Sequence, residues 1–183
     1  MALKKIPYQS IDVILKKHLD DNESSYTAYL LNKIRAARKK GYLTKEEFIL
    51  ICNWKSPRSL QLVKQNTSNK IKSITKSVIT SKDEGFVIKQ LIKLKGVSIA
   101  MASALLMFLN PKKYPVIDIR VWQVLYELNL VTSNTSGKSL SINNWITYLD
   151  IIKEKAKEYN TTARKIEKAI FLAHQIYQDG NLY

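Results

Sequence analysis

Asp118 is the acid whose surroundings in the sequence are most specific. It follows Asn110-Pro111-Lys112-Lys113-Tyr114-Pro115-Val116-Ile117 and precedes Val121, Trp122, Leu125 and Leu128, which repeat at helical spacing. The two prolines end one helix and impose an extended passage, so Asp118 opens the next helix. A carboxylate there can cap its own helix, which Asp does often. If it faces a ligand instead, it can stabilise developing positive charge and orient or deprotonate a water. Upstream, Lys95-Gly96-Val97-Ser98 forms a second candidate. Gly96 can stop a helix with a positive φ, and Ser98 can cap the following run of small and apolar residues, Ala100 to Phe108. A turn this tight directs the amides of Gly96, Val97 and Ser98 outward at a helix N-terminus. Free N–H donors and the positive end of the macrodipole coincide there and can hold one phosphate.

Other residues gather around these two by type. In Trp54-Lys55-Ser56-Pro57-Arg58 the Ser-Pro step starts a new helix, so Trp54, Lys55 and Arg58 sit close together. Arg58 can grip a phosphate in bidentate fashion, and Lys55 and Lys95 can add charge. Arg120 lies two residues past Asp118 and can reach phosphate or pair with the acid. Trp54, Tyr114 and Trp122 are candidates to line a pocket for a base, although a Trp between two helices also serves as a core wedge. His174 lies beside an apolar stripe and reads as a satisfied surface or boundary residue.

The elements needed to position these groups are all helices. Ser10, Ser24 or Ser25, Thr44 with Glu47, Ser56, Ser68, Ser81 to Glu84, Ser98, Asp118, a start near Ile142 and Thr161 or Thr162 mark successive beginnings. Apolar spacing carries the helix before the hairpin as far as Leu94, and Val131–Lys138 reads as a surface loop. The expectation is an all-α chain over 1–183, roughly ten helices in two packed lobes with a cleft between them. The hairpin covers about 84–109, and the Asp-bearing loop and helix cover 110–129.

The pattern L-x-G-V-x-x-x-x-A-S-A, then a proline, then an aspartate at a helix start, resembles the helix-hairpin-helix DNA glycosylases. The 22 positions from Gly96 to Asp118 (118 − 96) match the separation in that superfamily, and residues 82–128 carry the likeness. The string WKSPR is similar to one in small bacterial proteins with the same hairpin-and-aspartate pattern. The resemblance implies double-stranded DNA as partner, Asp118 as the catalytic group and a structural monovalent cation at the hairpin. Two departures refine it. Bifunctional members carry a Schiff-base lysine where this chain has Ala100, and Ser98 replaces the second hairpin glycine. Lyase chemistry is therefore not expected, and neither Lys93 nor Lys95 is promoted to nucleophile on position alone.

Composition bounds the rest. Thirty Lys+Arg against fifteen Asp+Glu give a formal charge of +15, which attracts polyanions, although a lysine-rich composition alone also produces it. A single cysteine, Cys52, excludes an internal disulfide and a Cys-ligated iron–sulfur cluster within one chain. No apolar run is long enough to span a bilayer, and the opening MALKKIPYQS lacks the apolar stretch of a secretory signal, so a cytoplasmic, nucleoid-associated protein is expected. No cofactor is expected, nor a metal in the site itself. Three functions remain: a monofunctional DNA glycosylase, a non-catalytic helix-hairpin-helix DNA binder, and an RNA- or partner-binding helical domain. The third leaves the hairpin-to-aspartate spacing unexplained. The enzyme needs Asp118 in a concavity on the side of the hairpin, whereas the binder needs it only as a helix cap.

Overall fold

A computed structural model describes residues 6–20 and 22–178; the reading of the first residues as no secretory leader lies partly outside them. Ten α-helices and no strand occur among the described residues: α1 Ile11–His18, α2 Ser25–Lys40, α3 Lys45–Lys55, α4 Leu60–Val63, α5 Ser68–Thr80, α6 Glu84–Leu91, α7 Ile99–Leu109, α8 Ile119–Glu127, α9 Ile142–Glu158 and α10 Ala163–Tyr177. Local chemistry sets most beginnings. Ser10, Ser24, Thr67, Asp83, Ser98, Asp118 and Thr162 each accept a backbone N–H from their own first turn, while Thr44 with Glu47 and Ser141 with Asn144 form reciprocal capping boxes. Pro57 opens a short 3-10 turn, Pro57–Ser59, that leads into α4.

The helix before the hairpin ends earlier than its apolar spacing suggests. α6 stops at Leu91, and two turns carry Leu94 inward, with the Leu94 amide donating to the Leu91 carbonyl. Leu94 remains buried, so the spacing reported burial rather than helix.

α7 is the central element. Every residue in it except Ala100 is buried, as expected of a helix apolar on all sides. It packs on α2, α3 and α6, while α10 packs on α1, α8 and α9; α6 against α9 joins the two groups. Apolar residues from all ten helices merge into one core. No helix among the described residues is long and apolar enough to cross a membrane.

Between α7 and α8 the extended passage is fixed from three directions. The Val116 amide donates to Glu167 Oε2 at 3.3 Å, the Tyr148 hydroxyl donates to the Val116 carbonyl at 2.9 Å, and the Ile117 amide donates to Ser103 Oγ at 3.0 Å. The first amides of α10, from Ala163 and Arg164, donate to the carbonyls of Lys112 and Pro111. A segment that prolines keep out of helix thus has its backbone groups satisfied by side chains and by a helix end.

Candidate functional site

Asp118 is at once a helix cap and a wall of a hollow. Its Oδ1 accepts the amides of Arg120 at 2.9 Å and Val121 at 3.3 Å, and its Oδ2 accepts Lys55 Nζ at 3.2 Å. Both side chains of the ion pair are 12% exposed. The hollow beside it measures about 400 Å³, within the range of small-molecule sites. Arg58, Ser98, Ala100 and Asp118 give it polar and small surfaces, Ile99, Ile119 and Leu140 give it apolar ones, and Gly137 to Ser139 close one side. A second hollow of about 460 Å³ is lined by Lys55 to Ser59 with Ser98, Ala100 and Met101. The two share Arg58, Ser98 and Ala100, so they adjoin, with Lys55 and Asp118 each lining one of them.

The hairpin is built differently from its sequence reading. Gly96 has φ +77, and a Cβ there would stand 3.0 Å from Leu62 Cβ and from the Val63 amide nitrogen, so it is pressed against α4. The Val97 amide donates to the Leu94 carbonyl inside the turn and is not available to a phosphate, which corrects its assignment as an outward donor. Ser98 is exposed, caps α7 through its Oγ and lines both hollows. Lys95 is exposed, with Nζ on Gln65 Oε1. The residue that organises the turn is Asn66, which the sequence did not single out: its amide oxygen accepts the Lys95 N–H and its NH₂ donates to the Lys95 and Val63 carbonyls, each at 2.9 Å. A structural cation fits poorly there, because Lys70 Nζ already donates to the Lys93 carbonyl and Asn66 to that of Lys95. Among the described residues no group of three or more His, Cys, Asp or Glu gathers where an ion could be held.

Four expected site residues face elsewhere. Arg120 turns to the end of α10, where Nη1 lies 3.0 Å from His174 Nδ1 and 2.6 Å from the Gln178 carbonyl, so it serves neither phosphate nor Asp118 through that nitrogen. Trp122 is buried and donates Nε1 to the Asn134 carbonyl, so it stands behind the loop rather than in the hollow. Trp54 is the wedge: Phe108 meets its ring edge-on at 5.0 Å, Arg164 covers it at 5.8 Å, and Nε1 donates to Thr27 Oγ1. Tyr114 is buried and lines a different hollow, with Arg38 and Leu106, that shares no residue with the one at Asp118. Burial and Glu84 beside it raise its hydroxyl pKa well above the usual value.

The electrostatics around Asp118 extend inward. Glu167 is buried, and desolvation raises its carboxyl above the ordinary range against the pull of Arg164, with the Asp118 charge adding to the rise. Burial works against the Arg164 guanidinium, yet Glu167 and Glu23 outweigh it and hold the pKa higher than usual. His174 is buried rather than at a boundary. Desolvation first, and then Arg120, push its pKa down to about 4. Since a guanidinium can only donate, Nδ1 of His174 accepts, and its Nε2 carries the proton toward Gln123 Oε1 at 3.1 Å. Gln123 in turn donates to the Ser136 carbonyl, so α10, α8 and the loop that walls the hollow are connected.

That loop is on the surface, as expected, but it is not loose. Gly137 is buried with φ +66, and a Cβ would meet the Ile119 carbonyl at 3.2 Å and Trp122 Cδ1 at 3.3 Å. Ser139, at the rim, holds φ +49, a conformation uncommon for a residue with a side chain.

Comparison with protein-family models, with curated proteins and with solved structures found no match to this chain.

Proposed function

We propose that this chain is a DNA-binding protein acting as a monofunctional DNA glycosylase, which hydrolyses the N-glycosidic bond of a damaged or modified base. One observation carries the reading: the Asp118 carboxylate, the Ser98 end of α7 and the Arg58 guanidinium share one hollow of about 400 Å³. Cleavage builds positive charge on the sugar, and a carboxylate held by amides at a helix start can meet it without reorganising. Oδ1 is committed to the cap, so Oδ2 is the oxygen that faces the sugar and orients the water. Lys55 is the group it exchanges, because a DNA phosphate competes for that ammonium. Ser98 and Arg58 take the backbone, and Ile99, Ile119 and Leu140 receive the extruded base. Ala100 leaves no amine at the family's lysine position, which fits direct attack by water.

The test is a panel of duplexes, each with one lesion (alkylated purine, 8-oxoguanine, uracil or hypoxanthine), incubated with wild type and Asp118→Asn and then treated with hot alkali. Strand breaks that appear only after alkali, and disappear in Asp118→Asn while binding persists, support the proposal. Breaks without alkali would contradict the monofunctional assignment, and equal breakage by both proteins would remove Asp118 from it.

A second reading has its own observation: both oxygens of Asp118 are already engaged, one by its own helix and one by Lys55. A non-catalytic helix-hairpin-helix DNA-binding protein needs no more of it than that. Salt-sensitive duplex binding with no abasic product across the panel would favour this reading.

A further inference from the structure

The solvent face of α2 carries two large rings where polar side chains are the norm. Tyr26 is 46% exposed and Tyr29 is 55% exposed, and their rings lie nearly parallel with centroids 6.5 Å apart. Helical spacing continues that face through Lys33, Ala36 and Lys40. α2 contains five cations and no acid. Lys33 Nζ stands over the Tyr29 ring at 6.0 Å, with Glu46 as its ion-pair partner at 3.3 Å. Past the end of the helix the Tyr42 ring is flanked by Lys40 at 5.3 Å and Lys72 at 4.6 Å. Exposed rings and cations thus share one surface along a helix about 24 Å long.

This combination has a specific use. Bases inside a duplex already have both faces covered by neighbouring pairs, so an exposed protein ring can stack only on an unpaired base. Rings for bases and ammonium groups for phosphates are the features that hold single strands with little regard to sequence. The surface also begins close to the candidate site without being part of it. Thr27, between the two tyrosines, accepts Trp54 Nε1, and the next residue, Lys55, bonds Asp118. Neither tyrosine lines either hollow there.

We infer that this face of α2 binds single-stranded nucleic acid, with bases stacked on Tyr26 and Tyr29 and phosphates held by Lys72 and by Lys33 and Lys40, which exchange their ion pairs with Glu46 and Glu47 for them. The assignment goes beyond the glycosylase reading and does not depend on it. It is tested by the affinity of wild type, Tyr26→Ala/Tyr29→Ala and Tyr26→Phe/Tyr29→Phe for labelled short single strands of DNA and of RNA and for a blunt duplex. Both side chains are exposed, so circular dichroism should show the variants folded. Single-strand binding that falls roughly tenfold or more in the alanine variant, stays near wild type in the phenylalanine variant and leaves duplex affinity unchanged supports the inference. Binding in either the DNA or the RNA arm suffices, and the two arms say which sugar is taken. Absence of single-strand binding by wild type, wild-type affinity in the alanine variant, or equal loss for single strand and duplex each overturn it. No step of the assay involves Asp118 or base release, so its failure and that of the glycosylase reading are distinguishable.

Discussion

Two residues near the site, Asp118 and His174, are held by contacts of different reach. Asp118 keeps its place mainly through α8 itself, since two amides of its own first turn bind Oδ1. His174 is held by the rest of the molecule, and that makes it sensitive to pH. Its folded pKa is depressed to about 4 from an ordinary 6.5, by burial and by Arg120, with Asp118 opposing. The unfolded chain therefore takes up the proton first as pH falls. The stability that neutral His174 contributes is fully present above about pH 6.5 and is lost as pH drops toward 4, a change on the order of 3 kcal/mol. Urea unfolding at pH 7, 5.5 and 4.5 should show a steeper loss for wild type than for His174→Gln, which cannot titrate. Parallel losses would mean that the carboxylates, and not His174, set the acid sensitivity.

At the scale of elements the hairpin is the most sharply determined unit. Gly96 answers two demands at once, a left-handed backbone and contact with α4 closer than a side chain permits. Gly96→Ala should cost about 2–3 kcal/mol in chemical unfolding, more than the strain of φ alone, because Leu62 and Val63 must also give way. A loss below about 0.5 kcal/mol would show that the turn relaxes freely. This position was legible in the sequence because a glycine between two helical patterns has a local cause. The caps at Ser98, Thr44 and Asp118 were legible for the same reason, each bonding within its own first turn. Asn66 was not, since two of its three bonds bind the hairpin at Lys95 from a segment about thirty positions away, the third going to Val63 beside it. The loop after α8 was read correctly as a surface segment, but its role as a wall follows from Trp122 and Gln123 reaching its carbonyls, and spacing along the chain does not encode that. Arg120 shows the same limit: proximity to Asp118 in sequence says nothing about the end of α10, which receives its Nη1.

For the molecule as a whole, the all-α class followed from periodicity and caps. What the sequence could not supply was the joining of the second group of helices to the first at Asp118. Glu167 and Tyr148, from α10 and α9, fix the chain at Val116, two residues before the acid, and no local pattern announces either. With a formal charge of +15, attraction to DNA alone distinguishes little, because any polyanion would be drawn to the surface. The more discriminating property is affinity for the charge that develops on the sugar. The direct measurement compares binding to a duplex with one cationic pyrrolidine abasic analogue and to the same duplex with a neutral tetrahydrofuran analogue, for wild type and Asp118→Asn. It needs no knowledge of the base that is removed. Asp118 acting on an oxocarbenium-like sugar predicts a preference for the cationic duplex of more than about tenfold in wild type, abolished in Asp118→Asn. Equal affinity of wild type for the two duplexes would contradict that role and leave Asp118 as the cap of α8.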